Sequence, residues 1–306
     1  MPSLKAIRKR INSVKSTQKI TRAMKMIAGA RLNRTQAKIL ALRPYALKTA
    51  DVVLAVGNQV ARTTHTEAEK QEGLVHQAEE SLHPLLQRRQ ERTALMFVIT
   101  SDRGLCGAFN TNVCRAVEKL WREKEAAGIS VKFVTVGRKG RDYFQRRKAE
   151  ILRDFSGKEY ENVTLEQARS ISQVLTKLYR RSEVDTVYVT FNEFHSVISQ
   201  RVTFLQLLPL PIDLDAPAPE VEMIFEPNAS ALLDRLVPMY VEISILRAIL
   251  ESRAGEHGAR MTAMDNATRN AKEMIDSLTL DYNRARQASI TKELMEIIGG
   301  AEALKD

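Results

Sequence analysis

The chain has 306 residues, 44% of them hydrophobic and 27% charged, which is ordinary globular composition and enough for one or two domains. Its net charge of +10 predicts an acidic partner surface, while no apolar run approaches about 18 residues and no apolar leader opens the sequence, so neither a bilayer span nor a secretory signal is expected. Cys106 and Cys114 are too few for a disulfide framework, and five scattered histidines lack ligand spacing, so the sequence predicts an intracellular protein without a metal or other cofactor.

A helical pattern begins almost at the first residue. Leu4, Ile7, Ile11, Val14, Ile20, Met24 and Ile27 carry it, and Val52, Val53, Val56 and Val60 resume it after an Ala-rich stretch. Ser3 is the expected cap and Pro44 the expected bend, giving a coiled-coil helix over residues 1–60. Its first fifty residues are strongly basic, with Lys5, Arg8, Lys9, Arg10, Lys15, Lys19, Arg22 and Lys25 before the midpoint. Nucleic acid, anionic lipid and an acidic protein are the candidate partners for such a stretch. Against nucleic acid stand the single aromatic residue, Tyr45, and the absence of heptads directly after the basic region.

Residues 61–93 are polar and read as a linker, either loop or loosely packed helix, rich in glutamate at Glu67, Glu69, Glu72, Glu79 and Glu80. Strand and helix then alternate over residues 94–208. The apolar run 94–100 is a strand, 110–127 a helix, 131–136 a strand, 139–147 a helix, 151–155 a strand, 165–181 a helix, 186–191 a strand, and 197–208 a further extended segment. Apolar strands with helical crossovers predict an α/β head, Rossmann-like, with a mostly parallel sheet covered on both faces.

Such a sheet invites a nucleotide, yet the loop after the first strand, Ser101-Asp102-Arg103-Gly104-Leu105-Cys106-Gly107, matches neither phosphate-binding glycine motif. Asp102 and Arg103 stand where active sites commonly form, but they equally fit a turn held by an ion pair. No nucleophile and base are paired by spacing, which argues against catalysis by this chain.

Pro209, Pro211, Pro217 and Pro219 mark a second linker, 209–227. Asn228 is the expected cap, and from Leu236 a 4,3 pattern runs through Tyr240, Ile243, Arg247, Leu250, Ala254, His257, Met261, Met264, Thr268, Ala271, Ile275, Leu278, Tyr282, Ala285, Ser289 and Lys292, about eight heptads. The helix is placed at 228–304, with Gly299-Gly300 as its stop signal and Pro238 as an early kink. Two long helices at opposite ends of a chain bury their seams against each other, so the sequence predicts a long antiparallel coiled coil joined to the head. Small seam residues, Ala271, Ala285 and Ser289, suggest close approach, and Met295, Ile297 and Ile298 an apolar tip.

Three stretches carry a resemblance: 11–28 (INSVKSTQKITRAMKMIA), 101–107 (SDRGLCG) and 282–294 (YNRARQASITKEL). In that order, over nearly the whole chain, they resemble the gamma subunit of F-type ATP synthases. The resemblance implies a central rotor shaft without an active site of its own. Its terminal helices would turn inside the alpha/beta hexamer, while its foot meets the epsilon subunit and the membrane c-ring. Proton-driven rotation would then cycle the catalytic beta subunits.

By the same resemblance, Met24, Lys25, Arg260, Arg286, Gln287, Thr291 and Glu293 match the contact with the beta catch loops, and Met223, Phe225 and Glu226 the c-ring contact. On periodicity alone Met24 fits a core position, and Arg260 and Glu293 fit solvated charges. The stretch 63–80 is longer and more acidic than the family leads one to expect, and the head lacks the cysteine pair of plastid forms. The resemblance therefore implies a bacterial protein on the cytoplasmic face of the plasma membrane, attached through its complex and binding no nucleic acid. Two other classes make different predictions: an enzyme would bind or turn over nucleotide alone, and a generic coiled-coil scaffold would self-associate without affinity for the hexamer.

Overall fold

A computed structural model describes residues 3–70, 83–157, 160, 163–210 and 228–302. The chain divides into two compact units, one formed by residues 1–30 with 260–306, the other by residues 31–259. Two helices, α1 (Leu4–Lys70) and α5 (Ala229–Glu302), contribute to both.

In the second unit the expected alternation is present, with boundaries shifted by a few residues. Its elements are β1 (Thr93–Ile99), α2 (Phe109–Ala126), β2 (Ser130–Val136), α3 (Arg138–Gln145), β3 (Glu150–Phe155), α4 (Leu165–Arg180), β4 (Thr186–Phe194) and β5 (Gln200–Leu208). The sheet order is β3-β2-β1-β4-β5, with the first three pairings parallel and β4-β5 antiparallel. β1 lies at the centre because its run TALMFVI is apolar on both faces, and all of Ala94–Ile99 is buried.

One face of the sheet, Ala94, Met96 and Val98, packs on Val113, Cys114 and Val117 of α2 and Phe144 of α3. The other face, Leu95, Phe97 and Ile99, packs on Ala168, Ile171, Leu175 and Tyr179 of α4. The same core takes in Val53 and Val56 of α1 and Leu233, Val237, Val241 and Ile245 of α5. The terminal helices thus supply part of the second layer that a parallel sheet requires.

Several expectations are corrected. The helix expected to end at residue 60 continues to Lys70, and Leu85 and Leu86, inside the supposed polar linker, are buried in the core. Gly299-Gly300 does not stop α5, which reaches Glu302; glycine weakens a helix without forbidding it. Ser3 and Asn228 do cap their helices, Ser3 Oγ accepting from the Ala6 N–H at 3.3 Å and Asn228 Oδ1 from the Ala231 N–H at 2.8 Å. Both helices run through their prolines, Pro44 and Pro238.

The phase of the α1 seam also differs from its expected course. Ile20, Ile27 and Val52 are exposed, while Thr21, Ala28, Leu32, Ala46, Thr49, Val53 and Val56 are buried. The 3,4 alternation that opens at Leu4, Ile7, Ile11 and Val14 simply continues to Gln18, Thr21, Lys25, Ala28 and Leu32, and the buried side follows that geometry rather than the positions of the next isoleucines. On α5, Arg247 and Lys292 likewise leave the expected seam for solvent.

Candidate functional site

The first unit is a pair of helices. Gly29 lies against Met261, the Lys25 ammonium donates to Asp265 Oδ1 at 2.6 Å, and the hydroxyl oxygens of Thr21 and Thr268 stand 2.8 Å apart. As numbers rise along α1 they fall along α5, so the pair is antiparallel. A Cβ at Gly29 would meet the methionine sulfur at 3.6 Å, an ordinary van der Waals contact, so the approach of the helices here does not depend on the glycine. Along α5 from Thr268 the shielded positions are Thr268, Ala271, Ile275, Leu278, Tyr282, Ala285 and Ser289, which is the predicted heptad stripe.

In each of these contacts the two residue numbers add to 289 or 290, so Leu4 at the start of α1 is level with Ala285. Beyond that level α5 exposes Ile290, Leu294, Met295, Ile297 and Ile298, each more than half open to solvent. An apolar group that large on an isolated helix end is a surface awaiting cover.

The sequence-predicted residues fall on two levels of this unit. Met24, Lys25 and Arg260 are half-buried near the Lys25–Asp265 pair, and Arg286, Gln287, Thr291 and Glu293 are exposed on the open end of α5. Arg260 and Arg286 lie 26 positions apart on one helix, about 39 Å at 1.5 Å per residue. The structure does not gather the seven into one patch. On the open end the Ser289 hydroxyl donates to Glu293 Oε1 at 3.1 Å, and Lys292 and Glu296 form an exposed pair at 3.5 Å. Met223, Phe225 and Glu226 lie outside the described residues.

Charge is arranged against helix preference. The first turn of α1 holds no acidic residue, and Lys5, Arg8, Lys9 and Arg10 all sit near its N-terminus, where the helix dipole disfavours cations. Among the lysines and arginines of residues 3–50, Lys25 alone is half-buried. Its hydrogen bond, more than any other influence, holds the Asp265 carboxyl below its ordinary range, with Arg269 adding to the effect. Sequence reading placed Thr268 on the α5 seam but missed Thr21 and Asp265, although extending the 3,4 phase from Leu4 places Thr21 and Lys25 on the α1 seam.

In the second unit, the carboxyl end of β2 leads into the N-terminus of α3, whose free backbone donors could otherwise take an anion. Here the chain occupies that place itself. Asp102 Oδ1 accepts from the Arg138 N–H at 3.0 Å and the Gly157 N–H at 3.4 Å, the Ser101 carbonyl accepts from the Lys139 N–H at 3.1 Å, and Thr100 Oγ1 from the Gly140 N–H at 2.8 Å. The first donors of α3 are therefore committed to the loop after β1. The turn is held by backbone donors rather than by the ion pair that Asp102 and Arg103 suggested.

Glycine is required at 137, where φ is 91° and an added Cβ would come 2.3 Å from the Thr100 carbonyl oxygen. Ser101 and Asn110 tie the other side of the loop, the Ser101 N–H donating to Asn110 Oδ1 at 2.9 Å. Cys106 and Cys114 are both buried, and burial pushes the Cys114 thiol up to about 12. A thiol so held is inert as a nucleophile. Among the described residues no helix is long and apolar enough to cross a membrane.

Comparison with known proteins agrees over the full length. Residues 3–304 match the family model described as ATP synthase. The chain is 51% identical to the ATP synthase gamma chain of Sorangium cellulosum and 47% identical to that of Geobacter metallireducens, in both cases over 100% of each chain. Among solved structures it resembles a chain of the Tetrahymena thermophila mitochondrial ATP synthase central stalk and c-ring, with a TM-score of 0.59 and 22% identity over 81% of this chain and 99% of that one. A chain of the Euglena gracilis mitochondrial enzyme gives a TM-score of 0.56 at 19% identity, covering 90% and 95%.

Proposed function

The chain belongs to the ATP synthase gamma-chain family, and from that premise we propose how it works as the rotor of the central stalk. It is the non-catalytic gamma subunit of an F-type ATP synthase. The alpha/beta hexamer is its stator, and the three catalytic beta subunits meet different faces of the turning α1–α5 pair. Contact free energies then differ among otherwise identical sites, and rotation exchanges which beta subunit is open. Only such differential contact can shift a conformational equilibrium; a rod presenting the same surface in all directions would couple nothing.

The observation that carries this reading is the apolar end of α5, Ile290 to Ile298, exposed beyond the level at which α1 begins. It fits an apolar sleeve in the hexamer. Around it Arg286, Gln287, Thr291 and Glu293 offer donors and acceptors to the beta catch loops, and Gln287 and Thr291, four apart, share one face. Met24 and Arg260 serve a second level of stator contact, with Lys25 beside them. The basic N-terminus of α1 faces acidic stator surface, which explains cations kept where the helix dipole opposes them.

Met223, Phe225 and Glu226 meet the polar loops of the c-ring, and the foot of the stalk also binds the epsilon subunit. Bacterial relatives support a place on the cytoplasmic face of the plasma membrane, reached through the complex. The filled carboxyl edge of the sheet fits a chain that leaves nucleotide chemistry to its partners.

A crosslink tests the reading. Gln287→Cys, joined by a disulfide to a cysteine in a beta catch loop of the assembled enzyme, should stop ATP turnover, and reduction should restore it. Continued turnover in the crosslinked state would overturn a rotating contact at this level.

A further inference from the structure

Between Leu4 and Val60, Lys25 is the only charged residue on the 3,4 positions of α1, which otherwise read Leu4, Ile7, Ile11, Val14, Gln18, Thr21, Ala28, Leu32, Thr35, Ile39 and Leu42 on into the valines. It meets a carboxylate across the pair at 2.6 Å, and one turn away Thr21 and Thr268 meet at 2.8 Å. Two hydroxyl hydrogens serve three contacts here, for Thr21 Oγ1 also lies 3.0 Å from the Gln18 carbonyl and Thr268 Oγ1 2.7 Å from the Met264 carbonyl, so one threonine donates across the seam while the other donates to its own helix. Lys25 and Asp265 are each more than a third exposed, so the pair adds little to folding stability, and an apolar residue would fill a seam position at less cost. Its value must lie in direction.

Apolar seam contacts are non-directional and permit small slides and rotations. A charge-assisted hydrogen bond between helices fixes one atom of each against the other, and polar seam positions are known to specify register at the expense of stability. We infer that Lys25–Asp265, with Thr21–Thr268 beside it, is a torsion clamp that holds α1 and α5 in one rotational and axial setting under load. Lys25 is then a positioning residue that acts through Asp265 inside the rotor, not a group that touches the stator. The inference rests on the rotor reading for its purpose but not for its geometry.

Charge reversal separates the two roles. Arg269 lies 3.8 Å from Asp265 and would repel a lysine there, so Arg269→Ala is included in every arm. In the reconstituted holoenzyme, Lys25→Asp and Asp265→Lys should each lower protons pumped per ATP hydrolysed by about threefold, the scale of an exposed pair turned from attraction to repulsion. The double reversal should bring that ratio back to the level of the Arg269→Ala parent. In the isolated full-length chain, amide exchange over residues 18–28 and 261–271 should rise about threefold in the single variants and return in the double one. Unchanged ratio and exchange in the single variants would overturn the clamp. So would a double reversal as impaired as Lys25→Asp alone, since Lys25 would then be answering to a stator carboxylate. A parent that fails to assemble with beta subunits would instead count against the rotor reading, and the exchange measurement would still decide the clamp.

Discussion

One helix, α5, lives in two environments. Between Leu233 and Gly258 it is covered on nearly every side: Val237, Val241, Ile245, Ala248 and Ile249 join the core of the second unit, Gly255 comes against Phe109, and Gly258 against Phe194. Some of its charges are enclosed there too, Arg253 donating to Glu256 at 2.8 Å and to the Tyr160 carbonyl at 2.8 Å. From Thr268 onward only one residue in three or four is shielded, at the heptad positions, and past Ser289 every described side chain is exposed. The first stretch is held as core and the second as a two-helix seam with a bare end. Stability should therefore reside in the second unit and adaptability in the first.

The sharpest way to break that contrast is to truncate one apolar side chain in each environment. Ile245→Ala, at a fully buried position, should cost about 2–5 kcal/mol by urea unfolding of the full chain. Leu280→Ala, at a position 60% exposed, should stay within about 0.5 kcal/mol. Equal losses would show that the open part of α5 is packed after all.

Carboxylates give a second comparison. Glu118 of α2 accepts from the Tyr143 hydroxyl at 2.6 Å, Arg122 Nη2 at 2.6 Å and Arg147 Nε at 3.0 Å. Chiefly through the tyrosine, these partners pull its carboxyl down to about 2. Asp265 has the clamp lysine but lies open. Glu118→Gln should cost about 1–2 kcal/mol at neutral pH, the scale of hydrogen bonds to a charged group. Because the folded-state value is depressed, that contribution is complete above the ordinary carboxyl range and is lost as pH falls toward about 2. Wild type and variant should thus converge in acid, while Asp265→Asn leaves the unfolding midpoint unchanged at any pH.

Legibility in the sequence followed the same divide. The strands and crossovers of the head were readable because parallel strands must be apolar on both faces and helices between them amphipathic, so period alone identified them. The α5 heptads from Met264 to Ser289 were readable for the same reason. Failures came where a local signal competed with a longer one. Ile20 and Ile27 looked like seam because they are isoleucines, yet the phase set by Leu4 to Val14 gave those places to Thr21 and Lys25. Leu85 and Leu86 were hidden by polar neighbours, and no period can reveal a two-residue anchor. Asp265 was invisible because its importance depends on a residue 240 positions away. The motif 101–107 was conspicuous, but only the structure gives its local role: Asp102 and its neighbours take up the first donors of α3.

The smallest expected effect concerns acid. His83, just before the buried Leu85, is itself enclosed; Nδ1 accepts from the Leu85 N–H at 3.2 Å, leaving Nε2 toward Asp234 of α5 at 3.5 Å. Burial lowers its proton affinity most, Asp234 opposes this, and Arg180 of α4 reinforces it. A histidine depressed in the folded state contributes stability above its ordinary value near 6.5, which is lost as pH falls through the lower folded value. Protonation would also place a second hydrogen against the Leu85 N–H, releasing the turn that seats Leu85 and Leu86. Between pH 7 and pH 5 the second unit should lose up to about 1 kcal/mol to this group, while amide exchange in the first unit stays flat apart from its intrinsic pH dependence. His83→Asn keeps an acceptor in place of Nδ1 and cannot titrate, so it should flatten the acid slope. A slope that survives this substitution would assign the acid sensitivity to another group and remove His83 from the account of why the second unit is the stable one.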